Sequence, residues 1–336
     1  MKIIFDLRSV GLGNNGGSFT LIKSGNALTN MGHDVLFADG GKIMNTWVKL
    51  KSEHRIIKRS ENLPDADCII ATGYKSVPLT AGAPDRCGLK FHWIRGWETW
   101  QYSEQEIVEK ILNYPTIKLV NGIGLKIKLK QLGIDSYLIR PGYDLETIQP
   151  LGLRGKNDTI ILGGLNHQGK HVKIKRTEWI FRVASELKRK YGKKIQLWMF
   201  GMERLPRHNI VDHFKQNPSI EEKSFIYNNV DIWLSPSMLE GLHMPPAEAM
   251  MTECPVVGTN AEMSGTKDYL INGKTGIVTK NKIDHFIQGV EYLVENEDIR
   301  KQYGKNARQR ILEIGNRKKN MNKMVNLFEK IKNENL

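Results

Sequence analysis

The stretch from Ser235 to Gly258, SPSMLEGLHMPPAEAMMTECPVVG, sets two glutamates, Glu240 and Glu248, eight positions apart on either side of Gly241 and the pair Pro245-Pro246. Upstream, VDIWLSPS (230–237) has the length and apolar content of a buried strand, so MLEGLHM is the loop at that strand's carboxyl end. The prolines suit first helical positions, where a missing amide hydrogen costs nothing. A helix therefore starts there, and CPVVG (254–258) reads as the next strand. Strand, loop, helix and strand form the unit of a parallel doubly wound sheet, which binds ligands at the carboxyl ends of its strands. Glu240 then lies in the loop and Glu248 in the first helical turn, flanking the amides of Gly241 and Leu242. Carboxylates accept hydrogen bonds from hydroxyls, while open amides and the helix dipole favour phosphate oxygens. A nucleotide sugar carries both groups. Taken alone, the pattern also fits a first-turn acid and a solvated loop acid.

Outward from this stretch the same alternation repeats. KIIF (2–5), DVLFA (34–38), DCIIA (67–71), GLKFHWI (88–94) and IKLV (117–120) read as strands of one parallel sheet, with helices over 18–31 and 104–112. A second set follows: TIILGG (159–164), IQLWMFG (195–201), VDIWLSPS and CPVVG, with helices near 177–190, 246–252, 284–295 and 297–314. QPLGLRGKND (149–158) has the Pro, Gly and charge content of a linker. The expected architecture is α/β, with two Rossmann-like doubly wound domains, 1–150 and 151–315, facing a cleft, and a further helical segment 316–336.

The 336 residues suit two domains of about 150 residues. Cys68, Cys87 and Cys254 share no close spacing, which argues against a zinc knuckle or a disulfide framework and for a reducing compartment. MKIIFDL is charged too early for a signal peptide, and no apolar run approaches the roughly 20 residues that span a bilayer, so a cytoplasmic protein is expected. The net charge is +14, and residues 300–336 hold 11 Lys+Arg against 3 Asp+Glu. Aromatic residues are not interleaved with these cations and no reader motif accompanies them, so nucleic acid is not an expected partner. Within the tail, Met321, Met324, Val325, Phe328 and Ile331 recur on one helical face, opposite Lys318, Lys319, Lys323, Lys330 and Lys332. The apolar face is expected to be buried. The lysine face is either simply solvated or a peripheral contact with anionic membrane, at the inner face.

The first strand runs into SVGLGNNGGSFT (9–20), where four glycines let backbone approach a ligand ahead of a helix start. It has no Walker lysine and does not fit G-x-G-x-x-G, so Gly16 and Gly17 are either a plain turn or a phosphate or sugar contact.

The 235–258 stretch resembles the donor-site signature of retaining glycosyltransferases of family 4, which have the GT-B fold. The matching residues are Pro236-Ser237, Glu240-Gly241, Pro245-Pro246, Glu248-Ala249-Met250 and Pro255-Val256-Val257, with the E-x7-E spacing met by Glu240 and Glu248. EMSGTKDYLINGKTGIVT (262–279), IRPGYDLETIQP (139–150), Gly16-Gly17 and MGHDV (31–35) are similar to other parts of the family pattern, with Pro141-Gly142 where Asn-Gly is usual. The resemblance implies that Glu248 accepts hydrogen bonds from the donor's ribose hydroxyls. It implies that Glu240 faces the donor sugar, with the amides of Gly241, Leu242 and His243 near sugar and phosphate. Family members bind the diphosphate with a Lys and an Arg after the first strand of the second domain. In GGLNHQGKHVKIKR (163–176) the candidates are Lys170 first, then Lys173 and Arg176, with Lys175 beside them, while Gly164 stands where the usual Arg of G-R-L would be. The base is placed near Gly201 and His213–Lys215. The resemblance also implies that 316–336 crosses back to pack on the first domain.

In the first domain, KFHWIRGWETW (90–100) falls where the family places acceptor-facing residues. His92 or Glu98 is the candidate, and the tryptophans are either core or a sugar platform. The expected reaction moves a sugar, with retention, from a UDP- or GDP-linked donor to an acceptor hydroxyl of a glycan or lipid-linked acceptor. No resident cofactor is expected. No Asp-x-Asp motif stands in a loop suited to Mg²⁺, so no metal is expected either. The alternatives are a nucleotide-sugar-binding protein without catalysis, or a phosphorylase or epimerase of the same fold.

Overall fold

Apolar runs of four to seven residues become strands because helices cover both faces of a parallel sheet, which leaves no polar face to alternate with. In the computed structural model, which describes residues 1–41, 47–155, 158–169, 172–205 and 209–334, this pattern occurs in two units. One is Met1–Gly142 with Asn316–Leu336, the other Tyr143–Gly315.

The first unit contains β1 (Lys2–Leu7), α1 (Gly16–Asn30), β2 (Asp34–Asp39), β3 (Glu53–Ile56), β4 (Cys68–Ala71), α2 (Val77–Ala81), β5 (Leu89–Ile94), α3 (Glu104–Glu106), β6 (Ile117–Val120), α4 (Ile123–Gln131) and β7 (Tyr137–Leu138). Among the described residues its strands form a seven-stranded parallel sheet in the order β3-β2-β1-β4-β5-β6-β7. The helix read over 104–112 continues past α3 as a π-helical turn, Ile107–Ile111.

The second unit contains β8 (Ile160–Asn166), α5 (Val172–Lys175), α6 (Thr177–Tyr191), β9 (Ile195–Gly201), β10 (His213–Gln216), α7 (Ile220–Asn229), β11 (Ile232–Ser235), α8 (Met244–Met251), β12 (Val256–Thr259), β13 (Gly276–Thr279), α9 (Ile283–Glu295) and α10 (Glu297–Ile314). Its six described strands are parallel in the order β10-β9-β8-β11-β12-β13. Winding reverses between β8 and β11, as it does between β1 and β4. Such a reversal leaves a crevice at the carboxyl ends of the two strands, so the loops after β8 and β11 are where a ligand is received.

The last helix, α11 (Arg317–Glu334), belongs to the first unit. Its residues Met321, Met324, Val325, Phe328 and Ile331 are buried in the same cluster as Phe5, Phe37, Phe91 and Trp93, and the Phe328 and Phe91 rings stack at 4.1 Å. Lys318, Lys319, Lys323, Lys330 and Lys332 are exposed. The division between units falls after Gly142 rather than at 150. The reason is packing: Tyr143 and Ile148, which precede the linker-like segment, are buried in the core of the second unit.

Candidate donor site

Three loops meet at the carboxyl ends of β8, β11 and β12. The backbone binds them together through Met238 N–H to Ile174 O at 2.9 Å, Glu240 N–H to Met263 O at 2.7 Å, and His243 N–H to Gly265 O at 3.2 Å. Gly265 has φ +73°, and a Cβ there would lie 2.4 Å from Glu240 Cβ, so the 264–266 turn can press against the Glu240 loop only with glycine.

On this frame Lys175 Nζ donates to Glu240 Oε1 at 2.5 Å. His243 Nε2 lies 3.4 Å from the same oxygen, and its Nδ1 is 3.1 Å from Ser235 Oγ. Burial by itself would raise the Glu240 carboxyl; His243, Lys175 and Ser237 outweigh it and hold the group below the usual carboxylate range. Burial pushes the His243 imidazole down to about 4, with Glu240 opposing and Lys175 reinforcing the shift, so the ring is neutral near pH 7. The Tyr269 hydroxyl donates to His243 O at 2.5 Å and anchors the residue that caps α8.

Pro245 and Pro246 do fall in the first turn of α8, but the helix begins at Met244. That start makes Glu248 the fifth helical residue, in the second turn rather than the first. Glu248 is buried and accepts a hydrogen bond from Tyr227 OH at 2.7 Å. Replacing it with alanine leaves the Tyr227 hydroxyl buried without its acceptor, and the expected loss is about 1–3 kcal/mol. Urea denaturation checks this, and Tyr227→Phe in the Glu248→Ala background should then cost nothing more.

Gly241, Leu242 and His243 thus stand with Glu240 and Lys175. The other residues singled out from the sequence are placed as follows. Lys170 lies outside the described residues. Lys173 is exposed on α5. Arg176 turns away from Glu240: its backbone is left-handed (φ 55°), and its guanidinium stacks 4.1 Å from the Trp179 ring centroid and contacts Asn281 and Met238. Gly164, in place of the usual arginine, lies under Ile180 of α6, whose side chain would be 2.9 Å from an added Cβ. Gly201 ends β9 against the Asn166 backbone, and His213 begins β10 with its ring 4.7 Å from that of Trp198.

In the first unit Asn15 caps α1 through Ser18 N–H at 2.8 Å, leaving Gly16 and Gly17 in the first turn. Arg95 joins this turn to the end of β4, donating to Gly17 O at 2.6 Å and to Thr72 O at 2.8 Å. Glu98 follows, accepting from Tyr74 N–H at 3.4 Å, and burial raises its carboxyl against the pull of Arg95. His92 is not beside them at the surface. It is fully buried within β5, edge-on to Tyr74 at 5.5 Å, and burial lowers it to about 3. Neither ring nitrogen has a hydrogen-bond partner among the described residues. Sequence reasoning did not single out Arg95, Ser235 or Tyr227, and it ranked Lys175 behind its neighbours.

Residues 169–310 match the profile of the family described as Glycosyl transferases group 1. Over 167 residues the chain is 28% identical to the capsular polysaccharide biosynthesis glycosyltransferase CapM of Staphylococcus aureus, an alignment covering 46% of this chain and 42% of that protein. The match supports a glycosyltransferase of the GT-B fold. Among solved structures, the Anabaena protein HepE in complex with UDP-glucose superposes with TM-score 0.77 at 13% identity, covering 98% of this chain and 100% of that one. Sucrose-phosphate synthase from Thermosynechococcus elongatus gives 0.74 at 15% identity, covering 98% and 99%. At these identities the likeness concerns the fold, which is GT-B. The chain spans about half or less of the length of the curated relatives it matches. Among the described residues no group of three or more His, Cys, Asp or Glu is placed to hold a metal ion, and no helix is long and apolar enough to cross a membrane.

Proposed function

We propose that this protein is a retaining, metal-independent glycosyltransferase of family 4 that moves a sugar from a UDP- or GDP-linked donor to an acceptor hydroxyl in cell-surface glycan or glycolipid synthesis. The observation that carries this reading is the partly buried Glu240 carboxylate paired with Lys175 where the sheet reverses its winding. A carboxylate at that point suits sugar hydroxyls, and a cation beside it suits a diphosphate. In the reaction the bond from the anomeric carbon to the diphosphate breaks with its electron pair on the leaving oxygen. The acceptor oxygen bonds to the same face of that carbon and gives up its proton. Lys175 and the amides of Gly241 and Leu242 stabilise the charge that develops on the diphosphate. Glu248 receives the ribose hydroxyls, exchanging part of its contact with Tyr227 for them, and Glu98 with the Gly16-Gly17 turn serves the acceptor.

A thermal-shift screen of UDP-glucose, UDP-N-acetylglucosamine and GDP-mannose in EDTA tests donor class and metal independence together, since a bound donor stabilises the folded state by mass action. At least one donor is expected to raise the melting temperature. No shift in EDTA with a shift in Mg²⁺ or Mn²⁺ would reject the metal-free reading. In a folded variant that keeps its acceptor, Glu248→Gln, nucleotide affinity is expected to fall less than in Glu248→Ala, where the loss is about 1.5–3 kcal/mol.

The exposed lysines of α11 fit a peripheral contact with anionic lipid, where a lipid-linked acceptor resides. At about 1 kcal/mol for each basic residue near the surface, attachment would be weak and reversed by salt. Co-sedimentation with anionic but not neutral vesicles is expected at low salt; equal binding to both would reject the contact.

A further inference from the structure

Between Glu240-Gly241 and Pro245 stand Leu242, His243 and Met244, so a single histidine interrupts an otherwise apolar run. The His243 side chain is buried at 6% exposure, and its Nε2 makes no hydrogen bond of normal geometry among the described residues. The nearest carboxylate oxygen is Glu240 Oε1 at 3.4 Å. A carboxylate only accepts, so the favourable tautomer carries its proton on Nε2 and takes the Ser235 hydroxyl on Nδ1. A ring turned the other way would set two lone pairs against each other in a buried site.

We propose that His243 is a positioning residue, a neutral N–H aimed at the Glu240 oxygen that Lys175 grips, which keeps the carboxylate aligned when a diphosphate draws Lys175 away. This rests on the glycosyltransferase reading above. Lys175 cannot serve both anions fully, because each contact it gives the diphosphate weakens its hold on Glu240. A second cation at position 243 would meet the same conflict. An uncharged imidazole does not, and its open 3.4 Å contact closes into a hydrogen bond once the ammonium moves. The charged and titratable groups around it are Lys175 of α5, Glu240 of its own loop, and Tyr269, whose hydroxyl holds the His243 carbonyl.

The test compares His243→Ala, His243→Gln and His243→Asn. Turnover is read as nucleoside diphosphate released from UDP-glucose and from GDP-mannose, and affinity is measured with UDP and GDP. Alanine is expected to lower turnover about ten- to a hundredfold with nucleotide affinity unchanged. Glutamine, whose amide N–H reaches the Nε2 position, should recover most of the loss, and the shorter asparagine should not. Equal turnover in the three variants, at any level, overturns the proposal. Water takes the place of the acceptor hydroxyl in this assay; if the wild-type protein neither binds UDP or GDP nor releases nucleotide, the glycosyltransferase reading fails, and titration of the His243 ring proton by NMR decides the geometry. The expected midpoint is about 4 in the wild type, lower in Glu240→Gln and higher in Lys175→Met. A midpoint that is the same in all three overturns the coupling.

Discussion

Lys175→Met is expected to lower turnover of the donor by about a hundred- to a thousandfold, the loss that follows when one preorganised stabiliser of developing charge is removed. Methionine keeps the length and most of the volume of the stem and deletes only the charge. The same substitution leaves the partly buried Glu240 without the cation that donates to it at 2.5 Å, so a second signature accompanies the first. In the wild type Glu240 sits below the usual carboxylate range although burial pushes the other way. It therefore contributes stability above its unfolded pKa, and that contribution is lost as pH falls through the lower folded value. Without Lys175 the carboxyl loses both its Coulombic pull and its hydrogen bond, so the folded pKa rises. The variant should then stand closest to the wild type in acid and fall progressively behind as pH rises. Melting temperatures of both proteins between about pH 4 and pH 8 read this directly. A deficit that does not change with pH would show that Lys175 is not what keeps Glu240 charged, and with unchanged turnover it would remove Lys175 from the site.

The contrast between Lys175 and its neighbours shows what the sequence could and could not decide. Glu240 and Glu248 were legible because their spacing spans a loop and a helix start, and prolines mark that start. Four cations within GKHVKIKR all fit a diphosphate equally well by composition, and among the three described ones, Lys173, Lys175 and Arg176, the fold brings Lys175 onto Glu240. His243 was hidden for the opposite reason, since its slot reads as apolar and only its amide drew notice. Strands flanked by helices on both faces were readable as apolar runs, whereas β3 is exposed at all four residues and β7 has only two, so neither leaves a hydrophobic signal. Helix α4, IGLKIKLKQ, alternates lysine with apolar residues as a strand would, and it is a helix because Leu125 and Leu129 share one buried face. The boundary at 150 followed a true change in composition, but Tyr143 and Ile148 had already joined the second core.

Phe328→Ala is expected to destabilise the first unit by about 3–5 kcal/mol, the range for removing a fully buried phenylalanine ring. The ring has 0% exposure and stacks on Phe91 of β5, so its loss opens a cavity between α11 and the sheet rather than at an edge that could relax. Typical domains hold only about 5–15 kcal/mol, which makes this a large share of the unit's stability. The chain has two units, and a single unfolding free energy would not isolate the effect. Native-state hydrogen exchange does so. Amides of β1 and β5 should exchange faster in the variant, while those of β8 and β9 keep their wild-type protection. Lys330→Ala on the exposed face of the same helix should stay within about 0.5 kcal/mol. Loss of protection confined to α11 itself, with β1 and β5 unchanged, would mean that the helix docks on the first unit without supporting it. The burial of Met321, Met324, Val325, Phe328 and Ile331 in the same cluster as β1 and β5 argues for the larger outcome.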